Sequence, residues 1–294
     1  MILEISHKTF YRYGTSVIQS QHLVHKTPRS MPHQDVRYHN LIVEPAPATR
    51  YSGVDAFGNT IVILDIEAVH KEFVLHARSE IATRAIAPID LAASTPWDAL
   101  KASRTGSGSA MDLDVIQFRC ASRLTVPTLE IADFASTFFK PGRPVLEATM
   151  DMVTLMYRDF KFDPTATDIS TPITRVLKHR RGVCQDFSHL AIAAARAMKV
   201  PARYVSGYVL TKPPPGQAKL QGADASHAWI SVWAPEHGWV DFDPTNGLLV
   251  SDEHATVAYG RDYDDVSPIS GVLIGGGEHT VSVAVDVRQA EAAP

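Results

Sequence analysis

Hydrophobic periodicity changes twice along the chain, and the order of these changes limits the possible folds. Polar and apolar residues alternate with a period of two through residues 1–85, for example in Ile2–Phe10 and Thr60–Ile66, which predicts an antiparallel sheet or small sandwich. Helical spacing follows over residues 129–198, and strand patterns then return. Because strands and helices are segregated along the chain, we expect an α+β protein and not a doubly wound parallel sheet.

The predicted organisation has four parts. Pro88, Pro96 and the run Ser103–Ser109 indicate a connection with a mobile loop. The parts are an N-terminal β-domain over 1–85, a connecting segment over 86–112, a core that includes a C-terminal strand over 113–288, and a frayed tail over 289–294.

The core itself is predicted as helices followed by strands. The predicted helices are Leu129–Phe139, Pro144–Asp159, a short helix opened by Thr171–Pro172, and Cys184–Met198. The predicted strands are Arg203–Leu210, His227–Ala234, Trp239–Asp243 and Val281–Val287. A polar loop is expected over Lys212–Gly222, either as a lid or as a simple connection.

Composition excludes several classes of partner. The 294 residues carry a formal charge of -4 without a long basic run, so nucleic acid is not expected. No run of about 18 apolar residues occurs, so we expect no membrane span, and the alternating N-terminus predicts no signal peptide. Two cysteines, Cys120 and Cys184, are too few for a disulfide scaffold and favour a reduced, cytoplasmic setting, although a disulfide between them stays possible on count alone.

Cys184 stands at the first turn of the clearest predicted helix. Unpaired N–H groups and the helix dipole favour a negatively charged sulfur there, and Arg180 and Arg181 add positive charge. Gly182 allows the backbone to turn tightly and leaves the sulfur approachable. The N–H of Cys184 would also stabilise an oxyanion.

A base for this sulfur is predicted on the hairpin that follows. His227 begins one strand, and Asp243 ends the next after the short turn 235–238. If Trp233 and Trp239 are opposite each other, His227 and Asp243 lie close together on one face. The carboxylate would then fix the tautomer of the imidazole and leave its other nitrogen for the sulfur.

Four segments resemble the bacterial transglutaminase-like cysteine enzymes. They are Gly182–Leu190, Pro201–Tyr208, Ser226–Trp229 and Gly238–Thr245. The N-terminal segment Asp55–Asn59 is similar to part of the β-domain that precedes the core in this family, and Gly260–Tyr263 and Gly275–His279 are similar to its C-terminal segment.

The resemblance implies a papain-like core with Cys184, His227 and Asp243 as catalytic residues. It prefers Asp243 over Asp241, because the family's catalytic acid precedes Pro-Thr. The expected activity is that of a cysteine protease or amidase on a peptide or protein amide, with a thioester intermediate and no cofactor. Protein-glutamine acyl transfer and a non-catalytic peptide-binding module remain alternatives, because the family includes several activities.

Structural roles are favoured for the remaining chemical groups. His189 is a rival base, but a structural hydrogen bond is favoured because it lies well round the helix from Cys184. Asp186 fits a first-turn carboxylate, Asp241 a hydrogen-bond acceptor or solvated residue, and Trp229, Trp233 and Trp239 fit packing residues. Metal spacing such as H-E-x-x-H is missing from the sequence, and a zinc site of Cys184, His189 and His227 would need a further ligand.

Overall fold

The computed structural model describes residues 1–102, 113–211, 222 and 224–290. The predicted loop at Ser103–Ser109 and nearly all of the one at Lys212–Gly222 lie outside the described residues, as does the end of the predicted tail. Within the described ranges, no helix has both the length and the apolar character needed to span a membrane.

The secondary structure is dominated by strands. The strands are β1 Ile2–Val24, β2 Gln34–Glu44, β3 Thr49–Val54, β4 Thr60–Ile66, β5 His70–Thr83, β6 Lys161–Phe162, β7 Arg181–Gly182, β8 Ala202–Val209, β9 His227–Ala234, β10 Gly238–Asp243, β11 Leu248–Leu249, β12 His254–Gly260, β13 Ile269–Gly275 and β14 His279–Gln289. The helices are α1 Trp97–Ala102, α2 Leu113–Ile116, α3 Leu129–Ser136, α4 Val145–Asp159, α5 Ile173–His179 and α6 Cys184–Ala197. The predicted α+β class is confirmed, as are the main helices and strands.

The N-terminal sheet has seven strands built around β1. β5 pairs with the first part of β1 and β4 with its end, while β14 and β13 pair along its other edge. The C-terminal strand, whose position in the sequence predicts that it belongs to the core, therefore lies in the sheet of the N-terminal region. Periodicity predicts that a segment is a strand, but the edge that a strand joins depends on packing between segments distant in sequence.

The second sheet has five strands in the order β11-β10-β9-β8-β12, all antiparallel. Helix α6 packs against β8 and β9. Its residues from Asp186 to Arg196 are all buried, because small alanines let the helix lie close to the sheet. This arrangement brings the beginning of α6 to the end of the sheet at which β9 begins.

Two buried side-chain amides join the N-terminal region to the outer edge of β12. Gln34 Nε2 donates to the carbonyl of Thr256 at 2.8 Å, and the N–H of Thr256 donates back to Gln34 Oε1 at 2.8 Å. Asn59 makes the same paired contact with Tyr259, at 2.7 and 2.8 Å. The amides thus take the place of a neighbouring strand and leave these edge groups paired.

Candidate active site

Cys184 is the first residue of α6, and it is half-buried. The helix is capped by Asp186, whose Oδ2 accepts the N–H of Val183 at 2.8 Å and the hydroxyl of Thr167 at 2.7 Å. Gly182 is required for a close approach: a Cβ there would lie 2.6 Å from Asp186 Oδ2. The expected tight turn at this glycine is therefore better described as space for the capping carboxylate.

The predicted basic pair before Cys184 lies on the surface. Arg180 Nη1 lies 3.1 Å from Asp159 Oδ2, and Arg181 Nη1 lies 3.7 Å from Asp163 Oδ2. These carboxylates offset the excess positive charge that the sequence alone suggested. The beginning of the helix itself remains a favourable field for negative charge at the sulfur.

The hairpin β9–β10 has the register expected from the sequence. Trp233 pairs with Trp239, and the pairing continues to Ile230 opposite Phe242. His227 and Asp243 follow at the open end of the hairpin, and His227 Nε2 lies 2.7 Å from Asp243 Oδ2. The side chain of Asp243 is completely buried and that of His227 nearly so.

His227 connects Asp243 to Cys184. Burial by itself lowers the pKa of His227, but hydrogen bonds to Asp243 and Cys184, together with their charges, outweigh burial and raise it to about 10. Since Nε2 faces Asp243, Nδ1 is the nitrogen left for the sulfur. The arrangement therefore favours a protonated imidazole between the Asp243 carboxylate and the Cys184 sulfur.

Asp243 is held by more groups than the sequence analysis expected. Its Oδ1 accepts the N–H groups of Thr245 and Asn246 at 2.9 and 3.1 Å. Its Oδ2 also contacts Asn246 Nδ2 at 2.7 Å and His254 Nε2 at 3.2 Å. Burial raises the pKa of Asp243, but the hydrogen bonds from His227, His254 and Asn246 prevail and hold it well below its usual range.

His254 is a neighbour of Asp243 that sequence reasoning missed. Its Nδ1 accepts the N–H of Ser251 at 3.4 Å, so Nε2 carries the proton and donates to Asp243. The alternating stretch His254–Gly260 would have predicted a strand, yet its pairing with β8 brings together residues far apart in sequence. Asn246 lies only three residues after Asp243, so its contact could have been found from closeness along the chain.

Comparisons with known proteins agree with this architecture. A family model of the transglutaminase-like superfamily matches residues 132–244, and a model of the bacterial transglutaminase-like N-terminal region matches residues 3–82. An uncharacterized protein of Mycobacterium tuberculosis is 35% identical over 293 residues, which cover 96% of this chain and 91% of the relative. The chain belongs to the transglutaminase-like superfamily. Cys184, His227 and Asp243 all fall within the matched core.

Two further similarities concern the fold and part of the core of this transglutaminase-like protein. The crystal structure of a Cytophaga hutchinsonii protein, provisionally described as a cysteine protease, aligns with a TM-score of 0.77 and 21% identity, covering 100% of this chain and 93% of that one. A protein-glutamine gamma-glutamyltransferase of Pseudomonas aeruginosa is 30% identical over 102 residues, which are 32% of this chain and 15% of that protein. The similarity to the Cytophaga hutchinsonii structure supports the fold.

The rival residues of the transglutaminase-like core have structural partners. His189 Nε2 accepts the N–H of Tyr263 at 3.1 Å, and burial lowers the pKa of His189 to about 4. Asp241 Oδ2 accepts the indole N–H of Trp229 at 3.0 Å, and Trp229 is completely buried. These contacts agree with the structural roles expected for all three residues.

Among the described residues, His227, Asp243 and His254 form the group able to hold a metal ion, with ligand atoms within 4.8 Å of one another. Their separations of 2.7 and 3.2 Å are those of hydrogen bonds. An ion placed there would remove the contact between His227 and Asp243. The zinc ligands Cys184, His189 and His227 are not brought together as a set, since His189 Nε2 accepts the N–H of Tyr263 instead.

Proposed function

We propose that this protein is a cysteine-dependent enzyme that cleaves amide bonds in peptides or proteins. In this proposal Cys184 is the nucleophile, His227 the acid and base, and Asp243 the residue that orients the histidine. The observation that carries the proposal is the double contact of His227, with Cys184 on one side and Asp243 Oδ2 at 2.7 Å on the other. A buried carboxylate in this position keeps the imidazole in one tautomer and stabilises its protonated form.

The first half-reaction forms a thioester. The Cys184 sulfur attacks the amide carbonyl carbon, and the N–H of Cys184 at the beginning of α6 stabilises the oxyanion. His227 gives its proton to the amide nitrogen as the carbon–nitrogen bond breaks. An amine leaves, and the acyl group stays on the sulfur.

The second half-reaction releases the acyl group. His227 removes a proton from water, the oxygen attacks the thioester, and the carbon–sulfur bond breaks to restore the thiolate and the imidazolium. A primary amine in place of water would give acyl transfer. Hydrolysis is the proposed outcome, because water is always present whereas transfer needs a site that binds an amine and restrains water.

Acyl transfer to a protein amine is the second candidate. The similarity to the Pseudomonas aeruginosa transferase over 102 residues favours it, although that stretch is a small part of the relative. A peptide-binding module with an unused triad is the non-enzymatic alternative.

The test is intact-protein mass spectrometry after incubation with a peptide library. The proposal expects an acyl adduct on the wild-type protein and none on the Cys184→Ala variant, with free carboxylic acid as product. Adding a primary amine such as glycine methyl ester separates the two activities: a predominantly amide product would replace hydrolysis by transfer. Identical behaviour of wild type and Cys184→Ala, without adduct or product, would leave the binding module.

We also propose a cytoplasmic location. The two cysteines are both free, and Cys120 is exposed, which agrees with a reducing compartment. Cell fractionation tests this, and recovery of the protein with periplasmic markers would contradict it.

A further inference from the structure

Arg203 on β8 is a charged residue that the proposed mechanism does not use. Its guanidinium lies between two aromatic rings, with Cζ 4.2 Å from the ring centre of Trp239 and 3.5 Å from that of Tyr259. Burial lowers the pKa of Arg203. Within the described part of the chain, its Nε is shielded from solvent and has no hydrogen-bond partner. A buried guanidinium N–H without an acceptor is costly in free energy, so a ligand that supplies a hydrogen-bond acceptor would be bound favourably here.

A cavity of about 350 Å³ adjoins Arg203 where the N-terminal region meets the core. Four aromatic residues line it: Phe57, Phe118, Trp239 and Tyr259. Phe118 stands edge-on to Trp239 with ring centres 5.3 Å apart, and its ring centre is 5.9 Å from that of Phe57. Aromatic walls with one convergent charged group are typical of small-molecule sites.

The charge around this cavity favours an anion. None of the described residues that line it is acidic. The guanidinium of Arg29 lies 4.6 Å from the centre of the Tyr259 ring and adds positive charge. A second cavity beside Arg203, of about 260 Å³, has Asp241 among its lining residues and is therefore less suited to a negative ligand.

This cavity is separate from the candidate active site. Arg203 precedes Gly207 by four residues on β8, and Gly207 is the residue that pairs with His227. Four residues of strand span roughly 13 Å. A ligand beside Arg203 would therefore not occupy the position of the reacting amide.

We propose that the cavity between the N-terminal region and the core binds a planar carboxylate, which pairs with the in-plane N–H groups of Arg203. The rings of Trp239 and Tyr259 cover both faces of the guanidinium, so only its edge is left to bond. A carboxylate matches that edge with two parallel hydrogen bonds. The layer between the two rings has the thickness of one planar group, which favours a carboxylate over a tetrahedral phosphate or sulfate.

Isothermal titration calorimetry with benzoate tests the site, using benzamide as the neutral analogue and inorganic phosphate as the tetrahedral anion. We expect benzoate to bind and the other two to bind at least about tenfold more weakly, because they lack the charge or the shape. Equal affinity for benzamide, tighter binding of phosphate, or no benzoate binding would each overturn the proposal.

N-acetylphenylalanine compared with its amide then shows whether the carboxylate belongs to a peptide terminus. Tighter binding of N-acetylphenylalanine than of benzoate supports a peptide end, and weaker binding supports a small free acid.

Matched variants locate the binding. Arg203→Lys keeps the charge but loses the planar fork, and should weaken benzoate binding about tenfold or more. Arg261→Lys is the control, since Arg261 lies 5.8 Å from the Phe57 ring centre but is bonded to Asp265, and it should bind as the wild type does. Equal affinity of Arg203→Lys and wild type would contradict the assignment.

A second variant covers the case in which Arg203→Lys does not fold. Ala56 is exposed and lines the cavity, so Ala56→Phe should fill it and abolish benzoate binding while the melting temperature is retained. Cys184→Ala should bind benzoate unchanged, whatever becomes of the proposed catalytic activity. Unchanged binding by Ala56→Phe, or loss of binding in Cys184→Ala, would place the probe elsewhere and overturn the proposal.

Discussion

Two buried polar assemblies lie at different places on the core sheet, and they are built from different chemistry. Around Asp243, titratable side chains meet: His227 at 2.7 Å and His254 at 3.2 Å share one carboxylate oxygen. At the outer edge of β12, the neutral amides of Gln34 and Asn59 pair with backbone groups at 2.7 to 2.8 Å. Both assemblies satisfy their buried polar atoms, as folding requires.

The difference separates a pH-sensitive assembly from one that only attaches the two sheets to each other. A carboxylate and an imidazole move the pKa values of each other, which makes the Asp243 group sensitive to pH and able to transfer protons. Amides neither ionise nor exchange a proton near neutrality, so the β12 edge provides a constant link between the two sheets. Changes at the first assembly should alter the chemistry of Cys184, and changes at the second should alter stability.

The largest effect should come from removing His227. At about pH 6, His227→Ala should slow the alkylation of Cys184 by iodoacetamide about 100-fold, the scale of a positioned proton-transfer partner. Peptide mapping by mass spectrometry measures it, with exposed Cys120 as the internal control that should not change. Equal, slow labelling of both cysteines in the wild type would remove the reactive role of the Asp243 group.

Gln34→Met tests the neutral assembly. The change leaves the Thr256 N–H and the Arg29 carbonyl without the Gln34 partner they have at 2.8 and 2.6 Å, while the Thr256 carbonyl keeps the Arg29 N–H at 3.2 Å. The free energy of unfolding should therefore fall by about 3 kcal/mol. Urea denaturation measures it, and the rate of Cys184 alkylation in the folded protein should stay the same. Gln19→Met at an exposed position is the matched control. Slower alkylation without a loss of stability would break the comparison.

The pH dependence of stability should distinguish the assemblies further. The pKa of His227 is raised from 6.5 to about 10, so its contribution is full below 6.5 and is lost as the pH rises through 10. The lowered pKa of Asp243 gives a contribution that is present above its ordinary 3.8 and lost as the pH falls through its folded value.

The free energy of unfolding of wild type and of His227→Ala, measured between pH 5 and about 10, reports this contribution. The range runs from below the pKa of a free imidazole, about 6.5, to the raised pKa of His227. The difference between the two proteins should shrink as the pH rises, whereas the difference caused by Gln34→Met should stay constant. If the difference in the free energy of unfolding between wild type and His227→Ala stayed constant with pH, charge would not govern the assembly around Asp243.

The smallest effect is expected for His254→Phe. Four other donors still hold Asp243, so losing His254 should slow Cys184 alkylation only about fivefold, the equivalent of one ordinary hydrogen bond. His254→Gln keeps a donor and should restore most of the rate. An effect as large as that of His227→Ala would mean that His254 acts on the sulfur more directly than through Asp243.

Local relationships were predictable from the sequence because they involve neighbours along the chain. The helix that begins at Cys184 follows from the spacing of its apolar residues, and the hairpin register of Trp233 and Trp239 follows from a short turn. Once that register is known, the closeness of His227 and Asp243 requires only the period of a strand. The structural role of His189 was also predictable, because position on a helix fixes direction.

Long-range relationships were decided only by the tertiary structure. The last strands pair with β1, and His254 reaches Asp243 through the pairing between β12 and β8. Arg203 acquires its aromatic neighbours where the two regions meet. Each of these depends on which sheet edges and faces pack together. Periodicity specifies which face of an element is apolar, but the partner of that face is chosen by the burial of the whole chain.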